Sequence, residues 1–114
     1  MVIMYGIPNC DTIKKAKNWL TEAKVEFEFH DYRKQGINQE LVADFCQRFG
    51  WEQVLNKRGT TYRQLSEAQK ASLDETTAIT LLVEHPAMIK RPILISPSSS
   101  LIGFKAEQYS TFFQ

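Results

Sequence analysis

Disulfide staples, metal clusters and phosphate-cradling loops are excluded by what this chain lacks. Of its 114 residues only two are cysteine, Cys10 and Cys46, too few for a disulfide framework. The two histidines, His30 and His85, are scattered as well, so no metal-ligand spacing arises. Glycine occurs five times and never as a Gly-rich phosphate loop. No apolar run approaches the roughly 20 residues that span a bilayer. The apolar start is cut short by Pro8 and Asp11, so no signal segment is expected. A net charge of only +1 argues against gross electrostatic capture of nucleic acid or a membrane surface. Internal repeats and low-complexity stretches are absent; Ser96-Pro97-Ser98-Ser99-Ser100 is a turn between apolar segments. The expectation is a cytosolic monomer with reduced thiols, no metal and no bound cofactor.

What is present is ordinary globular material, 43% apolar and 24% charged. At this length a single domain over residues 1–114 is expected, able to bury roughly two-thirds of its unfolded surface. Val2 to Tyr5 reads as a short buried strand, followed by a loop from Gly6 to Asn9. From Asp11, the residues Ile13, Ala16, Trp19, Leu20 and Ala23 recur at helical spacing. Phe27 to Tyr32 alternates as a second strand, so the first third forms a parallel, right-handed βαβ unit. A second helix starts at Asn38 as N-cap, buries Leu41, Val42, Phe45, Cys46 and Phe49, and ends at Gly50. Trp51 to Ser72 is less regular, with a polar turn at Asn56-Lys57-Arg58-Gly59-Thr60 and a short helix near Tyr62 to Leu65. Ser72 and Glu75 have capping-box spacing and open a helix that carries Ala78, Ile79, Leu82 and Val83 and stops at Pro86. Pro92–Ile95 and Leu101–Phe104 form an antiparallel hairpin, and a last helix runs from about Ala106. The plan is α/β and thioredoxin-like: βαβ, a helical insert over about 37–90, then ββα, with a mixed four-stranded sheet.

Cys10 is the residue with chemistry. It stands where a loop delivers the chain into a helix N-terminus, and the unpaired N–H groups and helix dipole there favour an anion. An unperturbed thiol with pKa about 8.5 is only roughly 3% ionised at pH 7, so position decides whether it reacts. Cys46 shares an apolar face with Val42, Phe45 and Phe49 and reads as core filler. The position three residues after Cys10 is Ile13, so no Cys-x-x-Cys pair exists and any mixed disulfide must be resolved by an external thiol. Thr12 could donate its hydroxyl to the sulfur, and Lys14 and Lys15 follow within about a turn. Arg91, before Pro92, and Arg58, in the polar turn, are the guanidinium groups whose context suits thiolate stabilisation. His30 and His85 read as structural.

Three segments carry a resemblance: Tyr5-Gly6-Ile7-Pro8-Asn9-Cys10-Asp11-Thr12, Asn56-Lys57-Arg58, and His85-Pro86-Ala87-Met88-Ile89-Lys90-Arg91-Pro92-Ile93. Together they resemble the ArsC family, which holds glutaredoxin-coupled arsenate reductases, Spx-type regulators and YffB-type proteins. The likeness covers nearly the whole chain and is nearest to the YffB-type branch, with Gly-Ile-Pro-x-Cys-Asp-Thr and Ile102-Gly103-Phe104. It implies a thioredoxin-like fold, a cis peptide before Pro92 facing the cysteine, a nucleophilic role for Cys10, and oxyanion binding at Arg58 and Arg91.

Three departures from the arsenate reductases matter. Gly6 replaces the histidine that helps ionise their cysteine. Ile13 and Lys14 replace a serine and an arginine. Phe104 stands near their third anion-binding arginine, with Lys105 the nearest cation, and a lysine lacks the planar fork that binds oxyanions. The resulting expectation is a thiol oxidoreductase that takes glutathione as co-substrate, with glutaredoxin as a further candidate partner. Cys10 is its nucleophile, and Arg58, Arg91, Thr12, Lys14 and Lys105 surround the anion. The alternatives are an Spx-like module that binds the RNA polymerase α-subunit and, more weakly, an arsenate reductase.

Overall fold

The computed structural model describes residues 2–8 and 10–113. Met1, Asn9 and Gln114 lie outside the described residues; of the expected Gly6–Asn9 loop, Gly6 is the last residue of the first strand, Ile7 and Pro8 follow it, and Asn9 is not described. In chain order the elements are β1 (Val2–Gly6), α1 (Asp11–Glu22), β2 (Phe27–Asp31), α2 (Tyr32–Gln35), α3 (Gln39–Phe49), α4 (Trp51–Val54), α5 (Thr60–Arg63), α6 (Glu67–Ala71), α7 (Glu75–Glu84), a 3₁₀ turn (Pro86–Met88), β3 (Ile93–Ile95), β4 (Ser100–Ile102) and α8 (Ala106–Phe112). They fall into two compact units: residues 1–35 with 91–114, and residues 36–90.

The first unit is built on a four-stranded sheet in the order β2-β1-β3-β4. β1 and β2 pair in parallel, with Val2 opposite Phe27 and Gly6 opposite Asp31. β3 returns antiparallel to β1, with Tyr5 opposite Ile93, and β4 closes the hairpin. Alternation along the strands sends Met4 and Leu94 to one face, where they meet Ile13, Ala16 and Leu20 of α1 and Tyr109 of α8 in a fully buried cluster. Met4, Ile13, Leu20 and Leu94 each contribute about 1.5–3 kcal/mol relative to leaving the side chain in water. Aromatic edges finish this face: Trp19 meets Tyr109 in a T-shape at 5.5 Å, and Phe104 meets Tyr109 at 4.8 Å. The opposite face carries Tyr5 and His30, cross-strand partners whose rings lie 4.9 Å apart.

β2 ends one residue before the alternation predicts. Asp31 Oδ1 accepts the N–H of Arg33 at 2.8 Å, and the Asp31 N–H donates to Gln35 Oε1 at 3.0 Å. This bracket bends the chain into the one-turn helix α2, which begins at Tyr32.

The second unit is helical. Asn38 caps α3 as expected, its side-chain oxygen accepting the Leu41 N–H at 2.8 Å, and Gly50 follows the helix at φ +85°. The capping box at Ser72 and Glu75 is corrected. Asp74 is the N-cap of α7 and exchanges hydrogen bonds with Thr77, each 2.9 Å long, whereas Ser72 closes α6. A carboxylate nearer the helix takes the role that the hydroxyl of Ser72 suggested. α7 ends at Glu84, and Pro86 opens the 3₁₀ turn beyond it, where its missing N–H costs nothing. The irregular stretch resolves into α4, α5 and α6, the last opened by a Ser66–Gln69 capping box. Two backbone bonds, Asn56 N–H to Met88 O (2.8 Å) and Lys90 N–H to Val54 O (2.7 Å), strap the Asn56–Arg58 turn to the segment leaving the unit.

One contact links the strand end to the first helix. A Cβ on Gly6 would lie 2.5 Å from Ile13 Cδ1 and 3.3 Å from its Cγ1. Gly6→Ala is therefore expected to cost about 1–3 kcal/mol through overpacking. Ile13→Val, which removes Cδ1, should cost about 0.5–1.5 kcal/mol alone. The double variant should lose less than the two single losses added together, as urea unfolding of all four proteins would measure; strict additivity would show that the two positions do not share this space.

Candidate active site

Cys10 is the N-cap of α1, in extended conformation (φ −133°, ψ 127°), and its carbonyl accepts the Lys14 N–H at 3.0 Å. The residue is half-buried and packs against the hydrophobic cluster of the sheet unit. The thiol does not cap the helix as a serine or aspartate would; the surrounding donors act on its anion. Burial pushes the Cys10 thiol up. The Ile13 N–H, a hydrogen bond from the Arg91 side chain, the Thr12 N–H and the Arg91 charge oppose it and bring the pKa below the ordinary cysteine value. The helix supplies two of these donors at no further conformational cost, because the first N–H groups of any helix lack intrahelical acceptors.

The site is assembled from both ends of the sheet unit. Ile13 is fully buried, so its side chain pins the amide that faces the sulfur. Arg91 precedes β3, and the Arg91–Pro92 peptide is cis. Pro92 is buried, and its carbonyl accepts the Gly103 N–H at 2.8 Å, which ties it to the end of β4. Thr12 acts on the sulfur through its backbone N–H. Lys14 is exposed on α1, and Lys105 is exposed at the N-cap of α8. Arg58 is exposed on the strapped turn of the helical unit, its N–H donating to Asn56 Oδ1 at 3.2 Å.

The second cysteine behaves differently. Cys46 on α3 is 3% exposed, and burial, with a contribution from Glu75, pushes its thiol up to about 11. His85 is exposed at the C-terminus of α7, its N–H donating to Leu81 O at 2.8 Å. His30 lies between Tyr5 and Tyr32, with the latter ring 6.0 Å away. Sequence reasoning treated Tyr32 only as the end of a strand; the Asp31-x-Arg33 turn chemistry was the signal that it begins a new element. Among the described residues, no group of three or more His, Cys, Asp or Glu side chains is placed to hold a metal ion, and no helix is long and apolar enough to cross a membrane.

The ArsC family model matches residues 5–112. The chain belongs to the ArsC family. Its likeness extends across nearly the full length of each relative. An uncharacterized protein of Haemophilus influenzae is 45% identical over 113 residues, covering 99% of both chains. The solved structure of the YffB (PA3664) protein is 50% identical with a TM-score of 0.93, covering 97% of both. The solution structure of an arsenate reductase (ArsC) related protein from Brucella melitensis is 42% identical with a TM-score of 0.80, covering 99% of this chain and 94% of that one. A global transcriptional regulator, Spx 2 of Bacillus cereus, is 29% identical over 119 residues, covering 98% of this chain and 86% of that protein. As an ArsC protein the chain has the thioredoxin-like fold and is related to the arsenate reductases.

Two thiols in such different surroundings should react at different rates. At pH 7 a thiol with a pKa of 11 is about one part in 10⁴ thiolate, against about one part in 10² at a pKa of 9, so Cys10 should alkylate at least about a hundredfold faster than Cys46. Arg91→Ala should slow Cys10 alkylation at pH 7 several-fold and move its pH profile upward. Peptide mass spectrometry after timed iodoacetamide quenching checks both; equal labelling of the two cysteines would contradict the assignment.

Proposed function

We propose that this ArsC protein is a glutathione-dependent thiol oxidoreductase with Cys10 as its single nucleophile. The observation that carries the reading is a half-buried sulfur at a helix N-terminus, met by the Ile13 and Thr12 N–H groups and by the Arg91 side chain. In the cycle, the Cys10 thiolate attacks one sulfur of a disulfide. An S–S bond breaks, the departing thiolate takes a proton from water, and Cys10 is left in a mixed disulfide. Because Ile13 stands where a second cysteine would resolve it, a glutathione thiolate completes the exchange and restores Cys10.

Arg91 holds the thiolate and then the incoming charge. Arg58 is the candidate for a glutathione carboxylate. Thr12, Lys14 and Lys105 complete the cationic and donor set, and glutaredoxin is a candidate reducing partner. Arsenate is the poorer substrate on the same grounds. The Ile13 side chain fills the space that a side chain at Gly6 would need, and Lys105 offers a point charge in place of a guanidinium fork.

Likeness to the Spx 2 regulator favours a second reading, a binding module for the RNA polymerase α-subunit in which Cys10 is secondary. The absence of Cys-x-x-Cys removes the redox switch from that role.

Incubation with oxidised glutathione should add one glutathione to Cys10 and none to Cys46, read by intact and peptide mass. Arg91→Ala should slow the addition about tenfold. Coupled turnover of arsenate with glutathione and glutaredoxin should stay near background. If Cys10→Ser still captures the carboxy-terminal domain of the polymerase α-subunit while the wild type forms no glutathione adduct, the regulatory reading replaces the enzymatic one.

A further inference from the structure

One buried donor is not used by the chemistry above. Tyr32 is 4% exposed, and its hydroxyl is shut off from water with no hydrogen-bond partner. An unpaired buried hydroxyl is a net cost to the fold, and each such group in a native structure calls for an explanation. Among the described residues Tyr109 has the other such hydroxyl, but it lies inside the aromatic core, and burial alone pushes its phenol up. Tyr32 has charged company: burial and Tyr5 push its phenol up while the Arg91 charge pulls the other way. It therefore remains a protonated donor at neutral pH.

Topology brings Tyr32 to the Cys10 end of the sheet. β1 and β2 are parallel with Gly6 opposite Asp31, so Tyr32 leaves β2 at the edge where β1 runs on to Cys10. β3 is antiparallel with Tyr5 opposite Ile93, so Arg91 enters at that same edge. The Asp31 bracket to Arg33 and Gln35 fixes the backbone that carries the Tyr32 ring. A cationic donor and an unsatisfied neutral donor thus share one edge with an ionisable, half-exposed sulfur.

We infer that Cys10 is a site of oxidation by peroxides and that the Tyr32 hydroxyl, with Arg91, holds the oxygen of the sulfenate formed there. The inference rests on the reading of Cys10 as a nucleophilic thiolate. The sulfur attacks one peroxide oxygen; the O–O bond breaks, an S–O bond forms, and two electrons pass from sulfur to peroxide. The departing hydroxide takes a proton from solvent and leaves as water. Ile13 removes the neighbouring resolving thiol, and Cys46 is buried and protonated, so the sulfenate waits for an external thiol. Attack by reduced glutathione then expels water and gives the same Cys10–glutathione disulfide that exchange would give. A donor without a partner in the reduced protein gains one in the oxidised protein.

The experiment treats the full chain with hydrogen peroxide and dimedone, in wild type and Tyr32→Phe, and follows intact and peptide masses over time. Wild type should yield a dimedone adduct on Cys10. The Tyr32→Phe sulfenate should pass to sulfinate about five- to tenfold sooner, the loss expected for one hydrogen bond. Its melting temperature should be equal to or above wild type, because the hydroxyl removed has no partner. Equal sulfenate lifetimes, or a lower melting temperature in Tyr32→Phe, would overturn the role given to Tyr32. Exchange with oxidised glutathione is measured in parallel. Exchange without any dimedone adduct overturns the oxidation alone; failure of both overturns the nucleophile beneath it.

Discussion

A sulfur at the rim of a hydrophobic core can carry charge only where fixed dipoles give back what it loses in water. Cys10 packs against the cluster formed by Met4, Ile13, Leu94 and Tyr109, and that burial by itself favours the neutral thiol. The Ile13 and Thr12 N–H groups and Arg91 reverse the preference. The rest of the sheet unit can be read as the means of holding these donors still. α1 is anchored by Ile13, Ala16 and Leu20, all fully buried, so its first turn cannot drift from the sulfur. Arg91 is held by the entry into β3, whose register against β1 is set by Tyr5–Ile93 pairing.

Ile13 joins the fold to the chemistry. Its side chain fills the space a residue larger than glycine would need at position 6, and its amide faces Cys10. In a Cys-x-x-Cys protein this position carries the second thiol. Here it is given over to packing, and no second thiol stands three residues after Cys10. The same substitution leaves no polar side chain at position 6 to assist the sulfur, which throws the burden on peptide dipoles and Arg91.

Much of the sheet unit was legible in the sequence, because its signals are local and periodic. The 3.6-residue recurrence from Ile13 to Leu20 located α1, and the strand-to-helix junction placed Cys10 at the helix N-terminus. Arg91 was legible only through its setting before Pro92 and the family resemblance, since its influence on Cys10 depends on β3 lying beside β1. The helical unit was harder. Asp74 and Ser72 both offer caps two residues apart, and only the three-dimensional exchange with Thr77 decides between them. Tyr32 was missed for a related reason. Strand alternation continues through it, whereas the Asp31 side chain bends the backbone just before it. Side-chain competition for backbone N–H groups ends elements that hydropathy would prolong.

The stabilisers of Cys10 come from residues 12, 13 and 91; the first two lie in its own helix, and Arg91 joins them only when β3 has come into register beside β1. An unfolded chain has no such convergence, and its thiol keeps ordinary acidity. The folded pKa lies below the unfolded one. Ionisation therefore adds to stability at pH values above the unfolded pKa, and that share is lost as pH falls through the folded pKa. The acidity of one sulfur is in this sense an internal gauge of whether the N- and C-terminal thirds have found each other, readable by a thiol reagent without any substrate.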